Sequence, residues 1–345
     1  TVIRTITVGS GPCNIVVTPN GARAYVTNSN ANSVSVIDTA NDTVVKTLPV
    51  GTQPCPIAMS PTGAKVLVAN RISNSLSVID TASDTVTKAI SVGSSPYAVA
   101  FTPNGSKAYV ANISSDSVSV IDASRDAEIQ RISVRAGPSD IAIKPDGSKV
   151  YVPNSRFSLT LGSVTVIDVA TDAVSKTISI GGFDASVVAW APSGAKAYVA
   201  HTGSPYALGD ISVIDGASET VSKSFAVGNR PITIAFTPDG GKAYVANTNS
   251  ASVSVVDTGT DSVTKTIKVG NEPADIAMVP AKGPIPEVDV TPSSGAAGTQ
   301  FSYQGSGFTG NSGVTSHLRK PNGTEFPTLQ IPTNAGGQFT SMINS

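Results

Sequence analysis

Short apolar runs, each closed by an asparagine or an aspartate, recur along most of the chain. Lys107-Ala-Tyr-Val-Ala-Asn112 is one, and Ser117-Val-Ser-Val-Ile-Asp122 follows it after a brief polar break. The first kind returns as Ala24–Asn28, Val66–Asn70, Val150–Asn154, Ala197–His201 and Ala243–Asn247, each with its own Val-Ser-Val-Ile-Asp-like partner. The runs are rich in β-branched residues, too short for helices, and bounded by Gly, Pro, Asn or Asp. That pattern predicts strands.

The pairs keep phase with a Val-Gly-x-x-Pro marker at Val8, Val50, Val92, Val227 and Val269, with looser versions at Val134 and Ile180. Successive markers are 42 residues apart three times, then 46, 47 and 42. A period of about 40 residues with several short strands per unit signals a β-propeller. The unit around Lys107 predicts four strands: a over Val99–Pro103, b over Ala108–Asn112, c over Val118–Asp122 and d over Ile129–Val134. Asn104-Gly105 turns a into b, glycine supplying the positive φ. Strands a and b are apolar on both faces, as blades sandwiched between blades require. Strand d often carries a lysine (Lys46, Lys88, Lys176, Lys223 and Lys265), which predicts a solvated rim that resists edge-to-edge pairing.

The Tyr-Val-x-Asn and Val-Ser-Val-Ile-Asp pairs, with their Pro-Asp/Asn-Gly turns, resemble the YVTN-type β-propeller repeats of prokaryotic surface-layer and secreted proteins. The resemblance covers roughly Thr1 to Pro280 and recurs six times. It implies an all-β, seven-bladed propeller displayed outside the cell, and no single activity. Six blades are complete in the sequence. Val2–Thr7 is left over as an outer strand d and Ala274–Pro280 as an inner strand a. The expectation is a seventh, closing blade made from these two, its middle strands supplied by residues preceding Thr1, because closure removes open edges. On this reading the sequence is a fragment; the alternative is a six-bladed ring with two stray strands.

Residues 281–286 read as a linker by composition. From Glu287 the repeat ends. Glu287–Phe301 and Gly305–Thr309 resemble the opening of bacterial Ig-like or IPT/TIG-type modules, with further strands expected near Gly313–Arg319, Glu325–Ile331 and Gly337–Ile343. About seven strands make such a sandwich, so 287–345 is read as a truncated one.

Charge narrows the partners. The 23 basic and 24 acidic residues nearly cancel, which favours neither nucleic acid nor an anionic membrane surface. No apolar run is long enough to cross a bilayer. Two cysteines do not make a disulfide scaffold.

Candidate chemistry gathers on one face. Strands alternate up and down, so d–a and b–c loops emerge together, opposite the monotonous a–b and c–d turns. The b–c loops of blades four and five are longer than that of blade three and carry Phe157, Leu159, Leu161, Tyr206 and Leu208. Apolar residues on exposed loops read as a binding surface or as two loops packing on each other. The blade-five d–a loop, Gly181–Ala185, lacks the proline and adds Phe183. Cys13 and Cys55 share a repeat position in adjacent blades, at the mouth of the channel. A disulfide, free buried thiols and a metal site are the competing readings. Asp140, Asp184 and Asp275 lie in d–a loops and form a weak metal candidate against ordinary turn hydrogen bonding. His201 replaces the asparagine that ends the other b strands and reads as a satisfied structural residue. His317 lies in the other module, and Trp190 in a core strand.

No haem-attachment, Walker or nucleophile-elbow motif occurs. Asn-x-Ser/Thr triplets begin at Asn41, Asn104, Asn112 and Asn322. The expected function is an extracellular, cell-surface structural or adhesive protein, not an enzyme, with no catalytic residues and no cofactor. Its propeller face would bind a protein or glycan or serve self-assembly. The alternatives are a lyase or hydrolase with a metal-assisted site at the channel mouth, using the aspartates and His201, and a monomeric binder of a small ligand.

Overall fold

In the computed structural model, residues 4–155, 161–201 and 208–278 are described, Leu161 by its backbone alone; beyond them the description is the backbone of five strands. The chain divides into two compact units, Thr1–Met278 and Val279–Ser345.

The first unit contains six four-stranded antiparallel sheets, each a meander of consecutive strands. We call them blades one to six. In blade three the strands are a, Pro96–Phe101; b, Lys107–Asn112; c, Ser117–Asp122; and d, Ala127–Ser133. Strand a of each blade lies against strand a of the next, from Pro12–Val17 through Pro54–Met59 and Pro96–Phe101 to Pro231–Phe236. The most deeply buried strands are b and c, rather than a and b. In blade three Ala108–Asn112 and Ser117–Ile121 are buried throughout, whereas strand a is largely half-buried. The reason is position: b and c are covered on both faces by neighbouring blades, while a forms the inner margin.

Two repeated features explain the motif. First, the glycine of the phase marker is needed because the asparagine ending strand b lies against it. A Cβ on Gly93 would meet Asn112 Cγ at 2.6 Å, and one on Gly51 would meet Asn70 Cγ at 2.6 Å. That asparagine donates through Nδ2 to two serines of strand c, as Asn112 does to Ser117 (3.3 Å) and Ser119 (2.9 Å). Second, blades latch at four interfaces. A basic residue of one strand b, accompanied by a tyrosine except in blade two, where Leu67 stands instead, reaches the aspartate in the next blade's c–d turn. Tyr109 Oη donates to Asp172 at 2.6 Å and Lys107 Nζ meets the same carboxylate at 2.6 Å. Lys65 meets Asp126 at 2.7 Å, Lys196 and Tyr198 meet Asp261, and Tyr25 donates to Asp84. Burial, together with the carboxylate beside it, pushes the Tyr109 phenol well above its ordinary value. The rim lysines do more than stay solvated. Lys46, Lys88, Lys176 and Lys223 each donate to a backbone carbonyl in the next blade's c–d turn, at 2.7 to 3.3 Å.

Of the expected closing strands, only 4–7 and 274–278 lie within the described residues. Residues 4–8 and 271–278 form no ladder there, and the first unit shows six sheets without a closed ring. A strand exists by virtue of its partner, and the two middle strands that would pair with these segments are not among the described residues. Both segments are nevertheless docked. Ile6 and Val8 pack against Ala24, Val26 and Ile37. Arg4 lies 3.7 Å from Asp42. Thr248 Oγ1 donates to the Pro273 carbonyl (3.0 Å) and Thr233 Oγ1 to that of Ala274 (3.2 Å).

The second unit corrects the Ig-like expectation. Its described strands form a three-stranded sheet, Glu287–Thr291, Gln300–Ser306 and Phe339–Asn344, and a separate pair, Gly313–Ser316 with Leu329–Pro332. No Ig-like sandwich, which takes about seven strands, is detected among these described strands.

Candidate functional site: the loop face of blades four and five

The repeat is interrupted in one sector. Strand d of blade four runs from Ala173 to Phe183, eleven residues where the other blades have seven. Its extension pairs with an extended strand c, Leu161–Asp168, so that Leu161 sits opposite Phe183. The long b–c loop of blade four therefore ends as sheet. Gly181 takes φ +76° at the change of direction, and Asp184 takes φ 44°, as Gln53, Ser95 and Arg230 do at the same repeat position.

His201 occupies the asparagine position and keeps its bonding pattern. Its Nε2 lies 2.8 Å from Ser212 Oγ. The single Ser212 hydroxyl proton goes to the Ile180 carbonyl at 3.0 Å, so Nε2 carries the proton and Ser212 accepts it. Nδ1 is buried with no hydrogen-bond partner among the described residues. Burial holds the imidazole neutral, lowering its pKa to about 4. Gly182 permits this close approach, since a Cβ there would stand 2.1 Å from Nδ1. The serine donates to a carbonyl and is fully buried, so the pair is a structural bracket and not a nucleophile with its base.

Asp140 is the unusual carboxylate. It sits just before the short inner strand of blade four, Ala142–Ile143, and accepts from the Val188 amide of blade five at 3.0 Å. Ser139 beside it donates toward the Ala185 and Ser186 carbonyls at 3.1 and 3.0 Å. Burial raises the Asp140 pKa to about 6, against the lowering effect of the Val188 and Ile141 amides. Asp184 is also pushed up by burial. Asp275 occupies the repeat position of Asp140, and its carboxylate accepts from the Ile276 amide at 2.8 Å. The three aspartates are not brought together, and no group of three or more metal-ligating side chains occurs among the described residues.

Of the expected apolar surface, Phe183 and Leu208 are exposed, at 40% and 63%. Leu161 is placed by its backbone only, and Phe157, Leu159 and Tyr206 lie outside the described residues. Trp190 is a packing residue, edge-on to Tyr151 with ring centroids 4.7 Å apart. Cys13 and Cys55 are joined in a disulfide between the inner strands of blades one and two, with Cα atoms 5.3 Å apart.

The sequence compares with known proteins as follows. Residues 2–106 match a YNCE-like beta-propeller family model. No curated relative matches the sequence. A solved chain of Kuenenia stuttgartiensis hydrazine synthase shares the fold, with a TM-score of 0.68 and 23% identity over 79% of this chain and 90% of that one. The all-β fold is propeller-like, and residues 2–106 are similar to the YNCE-like propellers.

Three expectations are corrected by these matches. The exclusion of an enzymatic role does not stand, because a chain of a synthase carries this fold over most of its length. The YVTN, surface-layer and Ig-like assignments are not supported by the YNCE-like family match or by the hydrazine synthase structure. The extracellular, cell-surface location rested on that resemblance and falls with it, the matched structure being a hydrazine synthase and not a surface-layer protein. Among the described residues no helix is long and apolar enough to cross a membrane.

The opposite, regular face holds shallow clefts of about 410 and 390 Å³ between the a–b turns of neighbouring blades, one lined by Thr62, Lys65, Asn104 and Asp122. The sequence reading assigns nothing to them. The aspartates of the latches also went unassigned, although an Asp-x-x-x-Asp turn after strand c in every blade but the fifth, where Glu219 stands last, was the available signal.

Proposed function

We propose that the Thr1–Met278 unit is a ligand-binding scaffold of an enzyme, with its site on the loop face of blades four and five. Asp140 is the group that exchanges a proton there, in chemistry of the lyase or hydrolase class on a small polar substrate. The observation that carries this reading is a half-buried carboxylate of raised proton affinity, in the sector where the repeat is broken. A general acid or base works best with a pKa near the operating pH. The fold shared with a hydrazine synthase chain supports an enzymatic setting by analogy. Exposed Phe183 and Leu208 favour a second reading, in which the same loops hold a protein or glycan.

Two finer architectural readings accompany it. The blades belong to a seven-bladed ring whose closing blade takes residues 2–7 as its outer strand and 274–280 as its inner strand. The chain divides into a propeller over 1–280, a linker over 281–286, which lies outside the described residues, and a C-terminal module over 287–345. Amide-resolved NMR during a screen of small carboxylic acids, amines and oligosaccharides tests the site. Shifts centred on Asp140, Phe183 and Leu208, weakened at least about tenfold by Asp140→Asn for a small ligand, support it. Ligands that shift only the a–b turns would move the site to the other face.

A further inference from the structure

Arg71 is the one half-buried cation whose side chain has no hydrogen-bond or ion-pair partner among the described residues. The others are all engaged. Arg23, Lys65, Lys107, Lys144, Lys149 and Lys196 meet carboxylates, and Lys176 donates to a backbone carbonyl. Arg71 follows strand b of blade two, Lys65–Asn70, and opens the b–c turn on the loop face. Its guanidinium carbon lies 4.7 Å from the ring centroid of Tyr97, on strand a of blade three. Its Nε is buried without an acceptor among the described residues.

Three further observations turn this cation into a site. The charge is partly stripped of water and has gained no counter-ion, so an arriving anion gains more here than at a fully hydrated side chain. The turn is held in place: the Arg71 and Ile72 amides donate to the Gln53 and Thr52 carbonyls at 3.1 and 3.2 Å, and the Thr52 amide donates to Ser73 Oγ. A group fixed in this way loses little freedom on binding. The surroundings are almost uncharged. The loop-face segments 8–12, 28–33, 50–54, 70–75, 92–96 and 112–117 contain one other charged residue, Asp116, whose carboxylate accepts from the Gly137 amide at 2.9 Å. Apolar surface adjoins the cation, with Tyr97 41% and Ile72 63% exposed.

We propose that Arg71 and Tyr97 form a binding site for a small organic carboxylate with a flat, apolar body. The carboxylate accepts from Nη1 and Nη2 of Arg71, the planar fork matching its two oxygens. The apolar body lies on the exposed part of the Tyr97 ring and against Ile72. A single cation in uncharged loops matches a single negative charge, which favours a carboxylate over a phosphate dianion. The Tyr97 ring keeps the guanidinium in its orientation through cation–π contact, so it serves the ligand from both sides. The site belongs to blades two and three and does not rest on the assignment of Asp140.

Benzoate is the probe, titrated into the full chain while NMR follows the arginine Nε–H and backbone amide signals. Benzamide serves as the neutral control and inorganic phosphate as the bare anion. The expected result is a saturable shift of the Arg71 Nε–H and of the amides around Arg71 and Tyr97, with benzamide and phosphate each weaker by about tenfold. Arg71→Gln lowers benzoate affinity about tenfold, and Arg71→Lys nearly as much, because an ammonium lacks the planar fork. Tyr97→Leu lowers it about threefold. Urea midpoints show that the variants remain folded. On the unaltered chain, the absence of a saturable shift overturns the proposal. So does benzamide bound as tightly as benzoate, and so do shifts that bypass Arg71 and centre on Asp140. Phosphate bound as tightly as benzoate, with Tyr97→Leu without effect, assigns Arg71 to a bare anion and overturns the part given to the ring.

Discussion

Blades three and four meet through a latch, whereas blades four and five meet without one. At the first interface Tyr109 and Lys107 share the Asp172 carboxylate, and Gln130 Nε2 donates to the Asp172 carbonyl at 2.9 Å. At the second the turn residue is Glu219. The Tyr151 hydroxyl has no hydrogen-bond partner among the described residues, and Lys149 turns back to Asp168 of its own blade at 3.1 Å. Trp190 fills the space instead, edge-on to Tyr151 and with Lys144 Nζ 5.8 Å from its ring. The blades tolerate the exchange of a charged hydrogen-bond cluster for aromatic packing, since both cover the tyrosine from water. The exchange falls in the sector where strand d overruns and Asp140 is half-buried. Departure from the repeat is concentrated there in its loops and in its seal.

The comparison breaks most sharply at the latch. Asp172→Ala leaves a buried phenol and a half-buried ammonium without their acceptor and is expected to cost about 3 kcal/mol. Urea unfolding of the Thr1–Met278 unit checks this, and an unchanged midpoint would remove the latch from the account of stability.

Acid separates the two sectors more gently. His201 is depressed to about 4 from 6.5, so as pH falls through that window the unfolded chain binds a proton that the folded chain refuses. Its contribution is complete above 6.5 and is lost toward 4, on the order of 3 kcal/mol. Asp140 works in the opposite sense. Raised from 3.8 to about 6, it costs stability above that value and relieves the cost as pH falls. The two trends offset each other between pH 6 and pH 4. Asp140→Asn is therefore expected to raise stability at neutral pH by on the order of 2–3 kcal/mol. It should also unmask a steep loss on acidification that His201→Asn abolishes. The turn aspartates, held low by their hydrogen bonds, lose their contribution only below their ordinary 3.8. Chemical unfolding across the pH range checks the pair of slopes.

The smallest effect sharpens the comparison. Glu219→Asp places the acidic group as in the other blades and is expected to gain about 1 kcal/mol by giving Tyr151 an acceptor. Tyr151→Phe should erase that gain in a double-mutant cycle.

Much of this architecture is legible in the residues themselves. The strands over Lys107–Asn112 and Ser117–Asp122 follow from alternation and turn chemistry, which are local. The shared repeat position of Cys13 and Cys55 already brings them to neighbouring inner strands. The latch is not legible in the same way, because Lys107 and Asp172 are 65 residues apart and belong to different blades. Nor is the fate of residues 4–8, whose pattern is that of a strand but which join no sheet among the described residues. His201 illustrates the intermediate case. Its substitution for asparagine is visible, but its bond to Ser212 and the room left by Gly182 depend on the fold.

The Cys13–Cys55 bridge has a mechanical consequence. In a row of units held only by their neighbours, unravelling starts at whichever end is loosest. Blade one is tied covalently to blade two. Blade six holds to blade five through the noncovalent contacts of Lys196 and Tyr198 with Asp261 and the packing around them. Loss of structure therefore acquires a direction. It enters at blade six and travels toward the stapled pair, which is the last part of the unit to let go.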